Sequence, residues 1–188
     1  CALPIYYVLA AGQTLPTSVT FGDTNTTVDI HLKHATKTVD KNNVPDGYTK
    51  DDFAKTINRT ITAKEPTGDV DLSQTTELTR TGTYDEVTKK VISYGNWTTG
   101  SFDEVTAPEV AGYTPSQAKI EGVKVTADSD FTPVEITYTP NDQKGKISYV
   151  DDKTNTEVGT TSLTGKTDED VVINPVAPAG RSEERRVG

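Results

Sequence analysis

Apolar residues in this chain recur at every second position in short runs, the spacing that places them on one face of a strand. Val28-Ile30-Leu32 and Val134-Ile136-Tyr138 are the clearest cases. Further alternating or β-branched runs predict strands at Thr56–Ala63, Asp71–Tyr84, Lys90–Trp97, Ser101–Val105 and Val134–Thr139. Pro108, Gly112 and Pro115 interrupt the path between the last two. Ser116–Val125 reads either as a short helix capped by Ser116 or, given Gly122 and two valines, as a strand.

The two clearest runs belong to an internal repeat with an offset of 106 residues. Thr20, Thr26, Val28 and Ile30 align with Thr126, Thr132, Val134 and Ile136, and Leu32 stands opposite Tyr138. A looser echo joins Ile61–Val70 to Ile147–Val158, each an alternating strand, an acidic turn with Thr and a second strand. If the hairpins open domains and the alternating runs close them, one complete domain lies at 56–140. Residues 1–34 are then the last part of a preceding domain, and 146–180 the first part of a following one. Between the first two, residues 35–55 are rich in Asn, Asp, Lys, Pro and Gly and read as a linker.

Composition narrows the class. The 188 residues are only 32% hydrophobic, with no Met, one Cys and Thr as the commonest residue, so thin-cored β structure is expected rather than helix. No stretch approaches the ~18 apolar residues of a membrane-spanning helix, so no membrane insertion is expected in this segment. A net charge of −9 without a basic stripe argues against nucleic acid as a partner.

The ends differ from the middle. Residues 181–188 (RSEERRVG) hold three of the five arginines and read as a cloning or sequencing scar, and residues 1–5 are open to the same reading. Cys1 is then no nucleophile, and the chain reads as a fragment with a cysteine-free interior, which suits an exported protein.

Several runs together resemble a known family. Glu77-Leu78-Thr79-Arg80-Thr81, Thr83-Tyr84-Asp85-Glu86-Val87-Thr88, Tyr94-Gly95-Asn96-Trp97-Thr98 and the segment 107–115 (APEVAGYTP) are similar to the Mub repeats of mucus-binding surface adhesins. The family pattern is an FTRT, a D-x-VTG, a W with a following V-x-x-P, and a GYTP. Leu78 stands where an aromatic is common, and Lys89 where the turn usually has Gly. By this resemblance 56–140 is a Mub B-type companion domain, flanked by partial mucin-binding (MucBP) domains at 1–34 and 146–180.

The resemblance implies ubiquitin-like β-grasp units, mainly β or α+β, in an elongated tandem array. It implies a non-enzymatic role, with no cofactor: binding of mucin or host glycoproteins by many weak contacts. It also implies an extracellular location on Gram-positive lactic acid bacteria, with LPXTG-type wall anchoring through a region outside this segment. Two rival readings stand beside it, a spacer that projects binding domains from the wall and an immunoglobulin-binding module working by strand addition. A glycosidase accessory module is more distant.

The candidate glycan-binding residues are Trp97, Tyr94 and Tyr113, whose rings could stack on sugars; the alternative for Trp97 is a place in a core short of bulky side chains. His31 and His34 lack the further ligands a metal site needs and read as exposed strand-end residues. Asp128-Ser129-Asp130 and Asp151-Asp152 read as solvated turns rather than calcium ligands, since the spacing of a calcium loop is absent. No catalytic constellation is found: Asp85/Glu86 and Asp103/Glu104 are adjacent, and neighbouring strand residues face opposite ways.

Overall fold

The alternating runs become strands wherever a partner and a core are both at hand. The computed structural model describes residues 2–174. The tail 181–188 and Cys1, read above as scar sequence, lie outside the described residues, as does the end of the 146–180 segment. In chain order the strands are β1 (Tyr7–Leu9), β2 (Leu32–His34), β3 (Thr36–Val39), β4 (Ala54–Arg59), β5 (Ile61–Glu65), β6 (Gly68–Asp71), β7 (Gln74–Thr79), β8 (Gly82–Asp85) and β9 (Lys90–Tyr94). They continue as β10 (Gly100–Phe102), β11 (Val105–Thr106), β12 (Tyr113–Pro115), β13 (Lys119–Ile120), β14 (Val123–Val125), β15 (Val134–Pro140), β16 (Asp142–Val150) and β17 (Glu157–Lys166). Among the described residues the only helical element is a single 3-10 turn at Lys50–Asp52. The Ser116–Val125 segment is therefore strand, β13 and β14 divided at Gly122.

The strands fall into two compact units, and the chain passes between them five times. The first unit takes the described residues up to Arg59, Ser73–Asp103 and Gly122–Thr132; the second takes Thr60–Leu72, Glu104–Glu121 and Pro133 onward. This division explains why two expected strands are broken. Thr56–Ala63 splits at Thr60 into β4 and β5, and Asp71–Tyr84 splits into β6, β7 and β8, each in a different sheet.

In the second unit a four-stranded sheet has the order β12-β15-β5-β6. β5 and β6 form an antiparallel hairpin, and β15 lies parallel to β5 with Val134 opposite Ile61 and Ile136 opposite Ala63. An opening hairpin whose first strand takes the last strand alongside in parallel is the β-grasp arrangement, so the chain is mainly β with β-grasp-like units. Alternation along β5 and β15 sends Ile61, Ala63 and Ile136 to one face, where they meet Ala107 and Ile120 in a buried cluster. Tyr138 closes its margin by donating from its hydroxyl to the Pro108 carbonyl at 2.7 Å. β16 and β17 form a long two-stranded hairpin running from Asp142 opposite Lys166 to Val150 opposite Glu157.

The first unit holds β3-β8-β9, β4-β7, β10-β14 and the short pair β1-β2. Its buried side chains form two clusters. One joins Ile57, Leu78, Phe102, Val125 and Ala127; the other joins Val39, Phe53 and Tyr84. Val39 and Phe53 belong to residues 35–55, read above as a linker, and both are fully buried. The polar residues between them make tight turns: Asn42 donates its N–H to Asp40 Oδ1 at 2.7 Å, and Thr49 its N–H to Asp52 Oδ2 at 2.7 Å. Turn chemistry gives the segment its linker-like composition, and two apolar anchors make it part of the fold.

One expected strand is absent. Val28 and Ile30 lie in irregular backbone, and pairing begins only at Leu32, opposite Leu9. Their counterparts Val134 and Ile136 form a strand because β5 lies beside them, whereas among the described residues no strand lies along 28–30, and His31 is engaged only through its carbonyl, which accepts from the Ala10 N–H at 2.9 Å. Every buried side chain among the described residues falls between Val39 and Ile136.

Candidate functional site

Of the three aromatic candidates, Tyr94 and Trp97 belong to the first unit and Tyr113 to the second. β9 ends at Tyr94, and Trp97 follows in the irregular stretch before β10. Trp97 is half-buried and packs on the Ile57–Leu78–Phe102 cluster. Tyr94 tilts against the buried Phe53 at 5.8 Å between centroids and keeps 39% of its surface exposed. Burial, then the nearby Asp52 charge, pushes its phenol upward from the ordinary range.

What brings Tyr94 and Trp97 together is Arg80. Its guanidinium carbon lies 3.8 Å from the Tyr94 ring centroid and 4.5 Å from that of Trp97, within the range in which a cation is held by an aromatic face. The Arg80 backbone N–H donates to the Phe53 carbonyl at 2.9 Å and its Nε to the Asp52 carbonyl at 2.7 Å. Arg80 thus clips the turn before β4 onto the end of β7 while its terminal amino groups donate to no acceptor among the described residues. Inspection of the sequence by ring type alone misses this residue. The available signal was that Arg59 and Arg80 are the only arginines before the tail.

Beside Arg80 opens a hollow of about 220 Å³, bordered among others by Lys41, Asn42, Thr79, Thr81, Asn96 and Thr98. The side-chain amides of Asn42 and Asn96 make no hydrogen bond within the described residues. Lys41 is engaged by Glu77, and this contact holds the Glu77 carboxyl below its usual range. Guanidinium, amides and threonine hydroxyls together present donors and acceptors to a hydroxyl-rich ligand.

Tyr113 has a different setting. Its hydroxyl donates to Asp168 Oδ2 at 2.8 Å, and that bond, with some burial, raises the phenol's pKa. Its ring borders a larger and more apolar hollow of about 550 Å³ with Pro108, Val110, Ala111, Pro115 and Ala118.

The remaining sequence candidates are turn and pairing residues. His34, expected as an exposed strand-end residue, donates its Nδ1–H to the ionised Asp85 carboxylate, Oδ2 at 2.7 Å, and stands edge-on to Tyr7. Asp151 caps the β16–β17 turn by accepting from the N–H groups of Lys153 and Thr154. Ser129 Oγ accepts from the Thr126 N–H at 2.9 Å. Among the described residues no group of three His, Cys, Asp or Glu could hold a metal ion, and no helix is long and apolar enough to cross a membrane.

A family model described as "Muc B2-like domain" matches residues 48–142, half of the chain and parts of both units. The chain belongs to the Muc B2-like domain family. Among solved structures, Mub-RV is 29% identical, with 72% of this chain and 75% of that chain covered at a TM-score of 0.54. The type 2 repeat of the mucus binding protein MUB from Lactobacillus reuteri is 27% identical over 72% of this chain and 76% of its own, at 0.47. The mucin-binding domain of Spr1345 from Streptococcus pneumoniae is 32% identical over 56% of this chain and 96% of its own, at 0.43. No curated protein gives a match. In this Muc B2-like domain the third residue of Leu78-Thr79-Arg80-Thr81, the stretch matching the FTRT pattern, is the arginine that joins Tyr94 and Trp97.

Proposed function

We propose that this chain is a repeat segment of a bacterial surface adhesin that binds mucin or host glycoproteins without catalysis, outside the cell. The family match over 48–142 carries the reading. The hollow beside Arg80 supplies the chemistry: guanidinium, amide and hydroxyl groups in one open recess suit the hydroxyls of a glycan. Open and polar, such a site holds a ligand weakly, and adhesion of useful strength then comes from many copies acting together.

The test is binding of the whole chain to immobilised mucin, before and after glycosidase treatment, alongside Asn96→Ala. Binding that falls several-fold on both treatments, with the melting temperature of the variant unchanged, supports the reading. Binding that survives deglycosylation transfers the contact to the protein core of the partner, and absence of binding leaves the spacer role.

A further inference from the structure

Only one Asp-Gly or Asn-Gly pair occurs in the 188 residues, Asp46-Gly47, and it stands at the centre of a tight turn in the first unit. The Tyr48 N–H closes the turn on the Pro45 carbonyl at 3.2 Å, and Gly47 takes φ +83°, the value that the third position of a type II turn requires. Both central residues are exposed.

Three features leave this pair open to reaction with itself. Among the described residues the Asp46 carboxylate makes no hydrogen bond or ion pair, whereas Asp40, Asp52 and Asp85 each accept from a backbone N–H of their own turn. The Gly47 N–H likewise donates to no acceptor among them, so no bond must be given up before its nitrogen moves. A Cβ built at Gly47 would meet nothing within 4 Å, so that nitrogen is shielded neither by a side chain of its own residue nor by packing around it.

We infer that Asp46 is a site of spontaneous backbone modification, cyclising onto Gly47 and reopening as isoaspartate. The Gly47 nitrogen attacks Asp46 Cγ. The new C–N bond forms, a Cγ–O bond breaks, and the departing oxygen takes the amide proton and the carboxyl proton with it as one water. Water then adds to the five-membered imide. Opening at Cγ restores aspartate, and opening at the former peptide carbonyl leaves the chain running through Cβ and Cγ beside a free α-carboxylate. No oxidant, reductant or further reactant enters.

The altered turn is one main-chain atom longer, and what it carries is Tyr48. The Tyr48 hydroxyl accepts from the Val91 N–H on β9 at 2.8 Å, and its ring packs on the Val39–Phe53–Tyr84 cluster, 6.4 Å from Phe53 between centroids. The turn thus sets the place of the residue that ties β9 to this cluster, and isoaspartate at Asp46 loosens that tie.

The experiment incubates the full chain for several weeks at neutral pH and body temperature, then digests it with trypsin beside fresh protein. The peptide 42–50, released between Lys41 and Lys50, is read for isoaspartate by enzymatic methylation of the new α-carboxyl and for the imide by the loss of one water. Deamidation at Asn42 or Asn43 in the same peptide is told apart by the mass it adds, since isomerisation leaves the mass unchanged. Asp46 is expected to carry at least about tenfold more isoaspartate than Asp128, an exposed aspartate followed by serine, because only glycine places no side chain beside the attacking nitrogen. Asp46→Glu keeps the charge but needs a six-membered ring to close, and is expected to abolish the isomer with the melting temperature of the fresh protein unchanged. The isoaspartyl fraction, separated by chromatography, is expected to unfold at a lower urea concentration than the parent. Absence of the isomer at Asp46 in the folded chain overturns the inference, as do equal amounts at Asp46 and Asp128 and an isomer that persists in Asp46→Glu. An isoaspartyl fraction as stable as the parent overturns the coupling to Tyr48.

Discussion

His34 and Asp85 are 51 residues apart in sequence and 2.7 Å apart in space, Nδ1 to Oδ2. The other oxygen of the same carboxylate accepts from the Val87 N–H at 2.8 Å and the Thr88 N–H at 3.0 Å. Asp85 therefore folds the β8–β9 turn over its own side chain and fastens that turn to the end of β2. The D-x-V-T stretch that marks the family in the sequence is, physically, an Asx turn with a histidine held on its outer face.

This arrangement makes stability pH-dependent. The His34 hydrogen bond first, then the two backbone donors, hold the Asp85 carboxyl well below the usual carboxylate range. A depressed native pKa stabilises the fold above the unfolded value of ~4, and the contribution is lost as pH falls through the native value. Asp85→Asn is expected to be less stable than the parent at pH 7, and the gap to narrow steadily as pH drops below ~4. Urea unfolding at a series of pH values reads this directly. A gap that widens on acidification would contradict it.

Arg80→Lys is expected to destabilise by about 1 to 2 kcal/mol although it keeps the charge. Lysine has no Nε–H positioned for the Asp52 carbonyl and no planar group to lie on Tyr94 and Trp97. Denaturant unfolding followed by Trp97 emission measures the loss and reports whether the indole's surroundings change with it.

Gly82→Ala is expected to cost about 1 to 3 kcal/mol. A Cβ at Gly82 would lie 3.0 Å from Phe53 Cε1, 3.0 Å from Val91 Cγ1 and 3.3 Å from Val39 Cγ2. Phe53 and Val39 are fully buried, so neither can withdraw without moving the cluster. A thermal unfolding midpoint equal to that of the parent would show that the cluster has slack.

Lys89 closes the β8–β9 turn in the left-handed region, φ 60°, at the position where the family pattern has Gly. Its ammonium also lies 3.8 Å from the Tyr6 ring centroid. Lys89→Ala removes the ring contact and keeps the strained backbone, whereas Lys89→Gly removes both. The glycine variant is expected to be the more stable of the two by roughly 1 kcal/mol in chemical denaturation.

Period-2 patterning was enough to announce a β protein, the β15 strand and the β16–β17 hairpin, because a strand's side-chain alternation is a local property of the chain. The motif set was likewise enough to name the family, and Asp151 was visible as part of an acidic turn, whereas Asp85 was read only as one of two adjacent strand carboxylates. What patterning could not show is which strands pair. Val28-Ile30 and Val134-Ile136 read alike, yet only the second pair meets a neighbour, β5, and only it becomes a strand. The burial of Val39 and Phe53 inside a polar segment, and the gathering of Tyr94 and Trp97 around Arg80, depend on contacts across 28 to 45 residues or on a turn between strands. Local sequence determines how a segment can be extended or turned. Tertiary structure decides which extended segments are given a partner and a core, since a strand's backbone groups and apolar face are satisfied only by residues brought from elsewhere in the chain.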